Sequence, residues 1–225
     1  MKIGGLQKLT LIDYPGKLAA TVFLFGCNFR CPWCYSSELV LPEKKQPEIS
    51  EKEVIDFLKE RQDLIEGVVI CGGEPTINKD LEKFIKKIKK LGFLVKLDTN
   101  GSNPKALKEL IKIVDYVAMD VKLPKDKYLK VLGIKPDNID KSIKILKESK
   151  IDYEFRTTVV PDILDKKDIL KIAKWISGAK KYYLQNFRPE KTLDPKFEKK
   201  KPHPDEYLAN IKKTISPFFK ICKVR

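Results

Sequence analysis

Six short β-rich runs separated by amphipathic helical stretches limit what this chain can fold into, because parallel strands need a crossover connection and helices supply it. The runs are residues 19–26 (AATVFLFG), 67–71 (GVVIC), 93–98 (FLVKLD), 115–121 (DYVAMDV), 153–160 (YEFRTTVV) and 181–186 (KYYLQN). The clearest helical stretch is 79–91, where Leu81, Phe84, Ile85, Ile88 and Leu91 share one stripe and Lys83, Lys86, Lys87, Lys89 and Lys90 lie largely off it. Further helices are expected at 51–61, 104–114, 138–149, 166–176 and 204–214. Pro104 suits a first helical turn and Gly92 a stop after Leu91. At ~30 residues per βα unit, six units use most of the chain, and a closed eight-fold barrel of roughly 250 residues would be tight. The expectation is therefore an α/β fold with a parallel sheet, as an open partial barrel of about six βα units with outer helices. A flat doubly wound sheet is the alternative. One domain is expected over 1–225, with its core at about 15–190, a basic extension at 191–225 and an exposed loop at 193–204.

The longest uncharged stretch is twelve residues, 18–29, against the ~18 that a membrane-spanning helix needs. The N-terminus MKIGGLQKLT carries no secretory signal, so a cytoplasmic protein with no membrane association is expected. The net charge of +15 comes from 46 Lys and Arg, five of them Arg, against 31 Asp and Glu. Such an excess raises nucleic acid as a partner. The lysines fall mostly on outward helix faces, however, and read as a solvated coat. The local exception is 191–225, with ten basic and four acidic side chains, which offers a dock for an acidic protein or a reduced electron carrier.

Five cysteines, Cys27, Cys31, Cys34, Cys71 and Cys222, are an odd number in a chain without an export signal, which argues against a disulfide framework. Three crowd together as C-x3-C-x2-C directly after the first β run. Cys31 and Cys34 alone could form a redox dithiol, but that needs no third cysteine upstream. A structural zinc site would need a fourth ligand from Cys71, Cys222 or the lone His203, and an electron-carrying cluster would normally take four thiolates. Three thiolates in one loop suit a four-iron cluster with one iron left open to a substrate or cofactor.

With an aromatic residue, Trp33, before the last cysteine, the motif resembles that of radical S-adenosylmethionine (SAM) enzymes. The resemblance implies that Cys27, Cys31 and Cys34 hold a [4Fe-4S] cluster whose open iron is chelated by SAM, and that one electron cleaves SAM to a 5'-deoxyadenosyl radical. It also gives meaning to Gly72-Gly73-Glu74-Pro75 at the end of the second run: in that family GGEP main chain contacts the methionine ammonium, and only glycines let backbone come so close. Cys71 itself reads as a strand cysteine rather than a ligand.

Polar or special residues close every proposed strand: the cysteine loop, GGEP, Asp98-Thr99-Asn100-Gly101, Asp120 with Lys122, Arg156 with Thr157 and Thr158, and Gln185-Asn186 with Arg188. In a parallel barrel these ends share one face, where active sites assemble. Asn100-Gly101 alone is also a strong turn dipeptide. These segments, with Leu11-Ile12-Asp13-Tyr14-Pro15-Gly16, resemble activating enzymes of glycyl radical enzymes, particularly those of anaerobic ribonucleoside-triphosphate reductase. The resemblance implies that Asp98, Asn100 and Lys122 lie beside SAM, Arg156 near its ribose or carboxylate, and Trp33 main chain near the adenine. It further implies a monovalent cation held by Asp98, Thr99 and Asp120. The partners implied are a glycyl radical enzyme as protein substrate and an external one-electron donor such as flavodoxin or ferredoxin. Two features depart from the pattern: Gln185-Asn186 stands where some activators place a histidine, and no cysteine-rich insert is present. Two alternatives stand beside this reading: a radical SAM enzyme of deazapurine synthesis acting on a small molecule, and a basic nucleic-acid-binding protein with a structural metal. Asp13 and Tyr14 read as a turn with Pro15-Gly16, and His203 as a surface residue.

Overall fold

The computed structural model describes residues 1–41 and 46–225. It divides into two compact units, one of residues 1–29, 36–99 and 105–117, the other of 30–35, 100–104 and 118–225. The first unit carries β1 (Ile3–Thr10), β2 (Ala19–Leu24), α1 (Ser37–Val40), α2 (Glu51–Lys59), β3 (Gly67–Gly72), α3 (Leu81–Lys90), β4 (Leu94–Thr99) and most of α4 (Pro104–Leu110). The division passes through β5 (Tyr116–Asp120), and the second unit continues with α5 (Lys125–Leu132), α6 (Asp137–Glu148), β6 (Asp152–Val159), α7 (Lys166–Trp175), β7 (Lys181–Asn186), α8 (Asp205–Ile215) and β8 (Ile221–Val224). Within each unit the strands neighbour one another in chain order.

The six expected β runs are β2 to β7, and the expected helices are α2, α3, α4, α6, α7 and α8. Local chemistry sets their ends. Ser50 and Glu53 form a capping box that starts α2, and Asp165 and Asp168 do the same for α7. Gly92, at φ +92°, follows the last turn of α3. The α3 stripe of Leu81, Phe84, Ile85 and Ile88 is buried while Lys83, Lys86 and Lys87 face solvent. Pro15 and Gly16 make the expected turn, closed by Lys17 N–H donating to the Tyr14 carbonyl at 3.2 Å.

Two strands were not expected. β1 pairs antiparallel with β2, and β8 pairs parallel with β7. Residues 191–225 are therefore not simply a loop and a helix: α8 and β8 pack on and extend the second unit. Parallel register aligns the strand ends that matter. β2 and β3 pair from Ala19↔Gly67 to Leu24↔Gly72, β3 and β4 from Gly67↔Leu94 to Ile70↔Leu97, and β6 and β7 up to Val159↔Asn186. Among the described residues no helix is long and apolar enough to cross a membrane.

Candidate active site

In the first unit, the β2–β3 register lays the GGEP turn on the chain that leads into the cysteine loop. Gly72 ends β3 at φ +115°, and a Cβ there would lie 2.3 Å from the Leu24 nitrogen. Gly73 is tighter still, its Cβ falling 1.8 Å from the Gly26 carbonyl oxygen. This approach lets Gly73 N–H donate to the Leu24 carbonyl and Glu74 N–H to the Gly26 carbonyl, each at 2.8 Å. Pro75 opens a short 3-10 turn capped by Glu74. The Glu74 carboxylate is buried and accepts from Thr76 N–H (3.1 Å), the Thr76 hydroxyl (2.5 Å) and the Thr99 hydroxyl (2.7 Å). Asp98 is bound by the ammonium of Lys96. Cys27 is half-buried, and its sulfur accepts from Phe29 N–H at 3.4 Å.

In the second unit, Cys31 is buried and Cys34 half-buried, with Cys34 N–H donating to the Cys31 carbonyl at 3.0 Å. The stretch after β7 lies across this part of the cysteine loop. Leu193 N–H donates to the Cys34 carbonyl and Asp194 N–H to the Pro32 carbonyl, both at 2.9 Å, and Arg188 N–H to Tyr35 Oη at 2.8 Å. Phe197 packs on Trp33 with ring centroids 6.3 Å apart, and Phe187 stacks on Tyr35 at 6.0 Å. The loop expected at 193–204 is largely exposed, as read, but it is tied down as a strap, with Phe197 buried and Lys200 paired to Asp162. Removing the Phe197 ring should lower stability by about 3 kcal/mol. A Phe197→Ala variant, loaded with cluster, should also bleach several-fold faster in air, read as decay of the brown absorbance. A lower melting temperature with unchanged bleaching would show that the strap is structural only.

A charged group stands at the end of β5 and in the middle of β6. Asp120 accepts from Arg156 Nε at 2.9 Å and from Lys122 Nζ at 3.1 Å. Burial pushes the Asp120 carboxyl up, and the Arg156 guanidinium and Lys122 ammonium more than reverse this, leaving it at about 2. Burial pulls Lys122 down, but the Asp120 carboxylate and then the Cys31 and Cys34 sulfurs hold it above the usual lysine range. Lys122 N–H donates to Tyr128 Oη at 2.9 Å, and that phenol is fully buried and pushed up by desolvation. Thr157 donates to the Val121 carbonyl at 2.6 Å and accepts from Tyr182 Oη at 2.8 Å, tying the three strands together. Asn100 uses Oδ1 to accept Ser102 N–H at 2.9 Å, a turn in which Gly101 sits at φ +74°.

His203 departs from its expected surface position. It is half-buried, its ring stacks on Tyr207 at 4.3 Å, its Nε2 is buried without a hydrogen-bond partner, and desolvation pulls its pKa down. Two contributors escaped the sequence reading altogether, Lys96 and Tyr128, and the strap was read only as a loop. Only Lys96 left a signal, as a charge between the apolar Val95 and Leu97.

Cys27, Cys31 and Cys34 are reduced thiols on one loop. Among the described residues no three His, Cys, Asp or Glu side chains are placed to hold a single metal ion. A four-iron cluster instead takes one thiolate per iron. The Phe29 N–H on the Cys27 sulfur and the Lys122 ammonium within electrostatic reach of Cys31 and Cys34 suit anionic sulfur, so the donor chemistry fits a cluster.

A profile described as the Radical SAM superfamily matches residues 21–176. The chain belongs to that superfamily. Membership makes it an enzyme and implies a [4Fe-4S] cluster and SAM as its cofactors. A Methanocaldococcus jannaschii protein provisionally named a glycyl-radical enzyme activating enzyme is 39% identical over 91% of this radical SAM chain and 87% of its own. The pyruvate formate-lyase-activating enzyme of Staphylococcus epidermidis is 27% identical over 77% of this chain and 74% of its own. A crystallised domain of the pyruvate formate-lyase-activating enzyme from Bacteroides vulgatus shares the fold, with a TM-score of 0.56, 16% identity, and coverage of 69% of this chain and 98% of that one. The expected α/β fold with mostly parallel strands is that of this superfamily.

Proposed function

We propose that this radical SAM enzyme activates a glycyl radical enzyme, with anaerobic ribonucleoside-triphosphate reductase the partner to test first. The observation that carries the proposal is the end-to-end likeness to the M. jannaschii protein. At 91% of the chain it runs beyond residues 21–176, where the superfamily profile stops. In this reading residues 1–225 act as one catalytic domain.

Cys27, Cys31 and Cys34 hold the cluster in this proposal. When bound, the cluster and SAM together supply the one-electron cleavage that produces a hydrogen-abstracting adenosyl group. The chain's own residues bind and orient. With the N–H groups of Gly73 and Glu74 committed to Leu24 and Gly26, the GGEP turn offers carbonyl oxygens, the right polarity for an ammonium. Arg156 and Lys122, fixed by Asp120, offer positive charge to a carboxylate. Trp33, Asp98 and Asn100 complete the SAM contacts. The electron comes from an external flavodoxin or ferredoxin, and a reducing cytoplasm keeps the thiols available.

The test mixes the anaerobically reconstituted enzyme with SAM, a reductant and each candidate partner. A glycyl radical doublet in the electron paramagnetic resonance spectrum of one partner is expected. Consumption of SAM with a deazapurine precursor, and no protein radical with any partner, would move the assignment to a small-molecule substrate.

A further inference from the structure

Lys96 is out of place among the lysines of this chain. Most coat outer helices, with pairs such as Lys86–Glu82 and Lys112–Glu109 half or more exposed. Lys96 instead sits in mid-β4, paired in register with Val69, and is 1% exposed. Strand alternation puts Leu94, Lys96 and Asp98 on one face, and Leu94 packs on the buried cluster of Tyr14, Ala19, Val69 and Tyr116. Asp98, 17% exposed at its side chain, receives the Lys96 ammonium. An ammonium is withdrawn from water only where a fixed carboxylate compensates it. The lysine here is thus held on the inner side of Asp98 as its ion-pair partner, away from solvent.

We propose that Lys96 is the resident counter-cation of Asp98, and that it makes SAM binding independent of any dissolved monovalent cation. A carboxylate that must lie beside a zwitterionic ligand needs a balancing positive charge. A dissolved ion can provide it, but so can an ammonium carried by the strand. Asp98 already has the second kind, which also fixes its rotamer for the ligand. This inference rests on the SAM site proposed above, and Lys96 acts as a positioning residue through Asp98.

The experiment measures SAM binding by equilibrium dialysis on the full, cluster-loaded chain, at constant ionic strength with potassium, sodium or tetramethylammonium as the only cation. The wild type should vary less than about twofold among the three. Lys96→Met should bind at least about tenfold more weakly in tetramethylammonium and recover several-fold in potassium or sodium. Lys96→Arg should restore affinity without an alkali cation. A second measurement needs no cluster or SAM: the melting temperature of apo Lys96→Met should rise with potassium, whereas that of the wild type should not. The Lys96→Met/Asp98→Asn double variant removes both charges, and should fold and lose the potassium response. A wild type whose affinity needs potassium, or a folded Lys96→Met with no cation response in either measurement, overturns the inference alone. A wild type that binds no SAM in any cation overturns the proposed site with it.

Discussion

A Gly73→Ala variant is expected to lose SAM binding by at least about a hundredfold and to be destabilised by about 2 kcal/mol. The added Cβ would fall 1.8 Å from the Gly26 oxygen and 2.5 Å from its carbon, both main-chain atoms with no side-chain rotation to relieve them. The turn must move, and the hydrogen bonds from Gly73 and Glu74 to Leu24 and Gly26 go with it. Calorimetry and equilibrium dialysis on the same preparation give both numbers. Gly178→Ala is the control, with φ +81° but nothing within 4 Å. It should cost about 1 kcal/mol of backbone strain and leave SAM affinity intact. A Gly73→Ala protein that binds SAM like the wild type would show that the turn does not touch the ligand.

Asp120→Asn is expected to destabilise the fold, because it leaves Arg156 and Lys122 adjacent and without their carboxylate. Complete burial would make the loss ~3–5 kcal/mol. With the Asp120 side chain 30% exposed, about 2 kcal/mol is the appropriate figure. Its pH dependence carries a sign. The folded carboxyl titrates at about 2 against an ordinary 3.8. The stabilisation is therefore complete above the ordinary value and is lost as pH falls toward the folded one. In urea unfolding of the apo-protein, wild type and Asp120→Asn should differ by about 2 kcal/mol near pH 5 and converge toward about pH 2. A difference that stays constant over that range would mean that Asp120 acts through shape rather than charge.

The cysteine loop and GGEP were legible because their meaning lies in local spacing: three thiols within eight residues, and glycines where a strand must turn against main chain. The strands β2 to β7 were legible because buried parallel strands are apolar along their length. β1 was hidden, since Gly4, Gly5, Gln7 and Lys8 break any alternation. Gly4 is a glycine because Leu39 and Phe25 fill the space a side chain would need, with a Cβ only 2.6 Å from Leu39. β8 was hidden as four residues, ICKV, in a lysine-rich tail, held by pairing with β7. The strap could not be read because its anchors, Leu193, Asp194 and Phe197, stand among lysines and prolines, and their partners in the cysteine loop are far away in sequence. Lys96 was passed over for a related reason. A lysine is ordinarily a surface residue, and only the placement of Asp98 on the same strand face makes its burial tolerable.

In the proposed reaction a hydrogen atom leaves a glycine Cα of a partner protein and is delivered to the adenosyl group of SAM. The most direct measurement uses the partner prepared with glycine deuterated at Cα, incubated anaerobically with this enzyme, SAM and a reductant. Mass spectrometry of the 5'-deoxyadenosine should find one deuterium transferred, matched by collapse of the radical doublet. Unlabelled 5'-deoxyadenosine, formed in full yield beside the labelled partner, would exclude hydrogen transfer from that glycine.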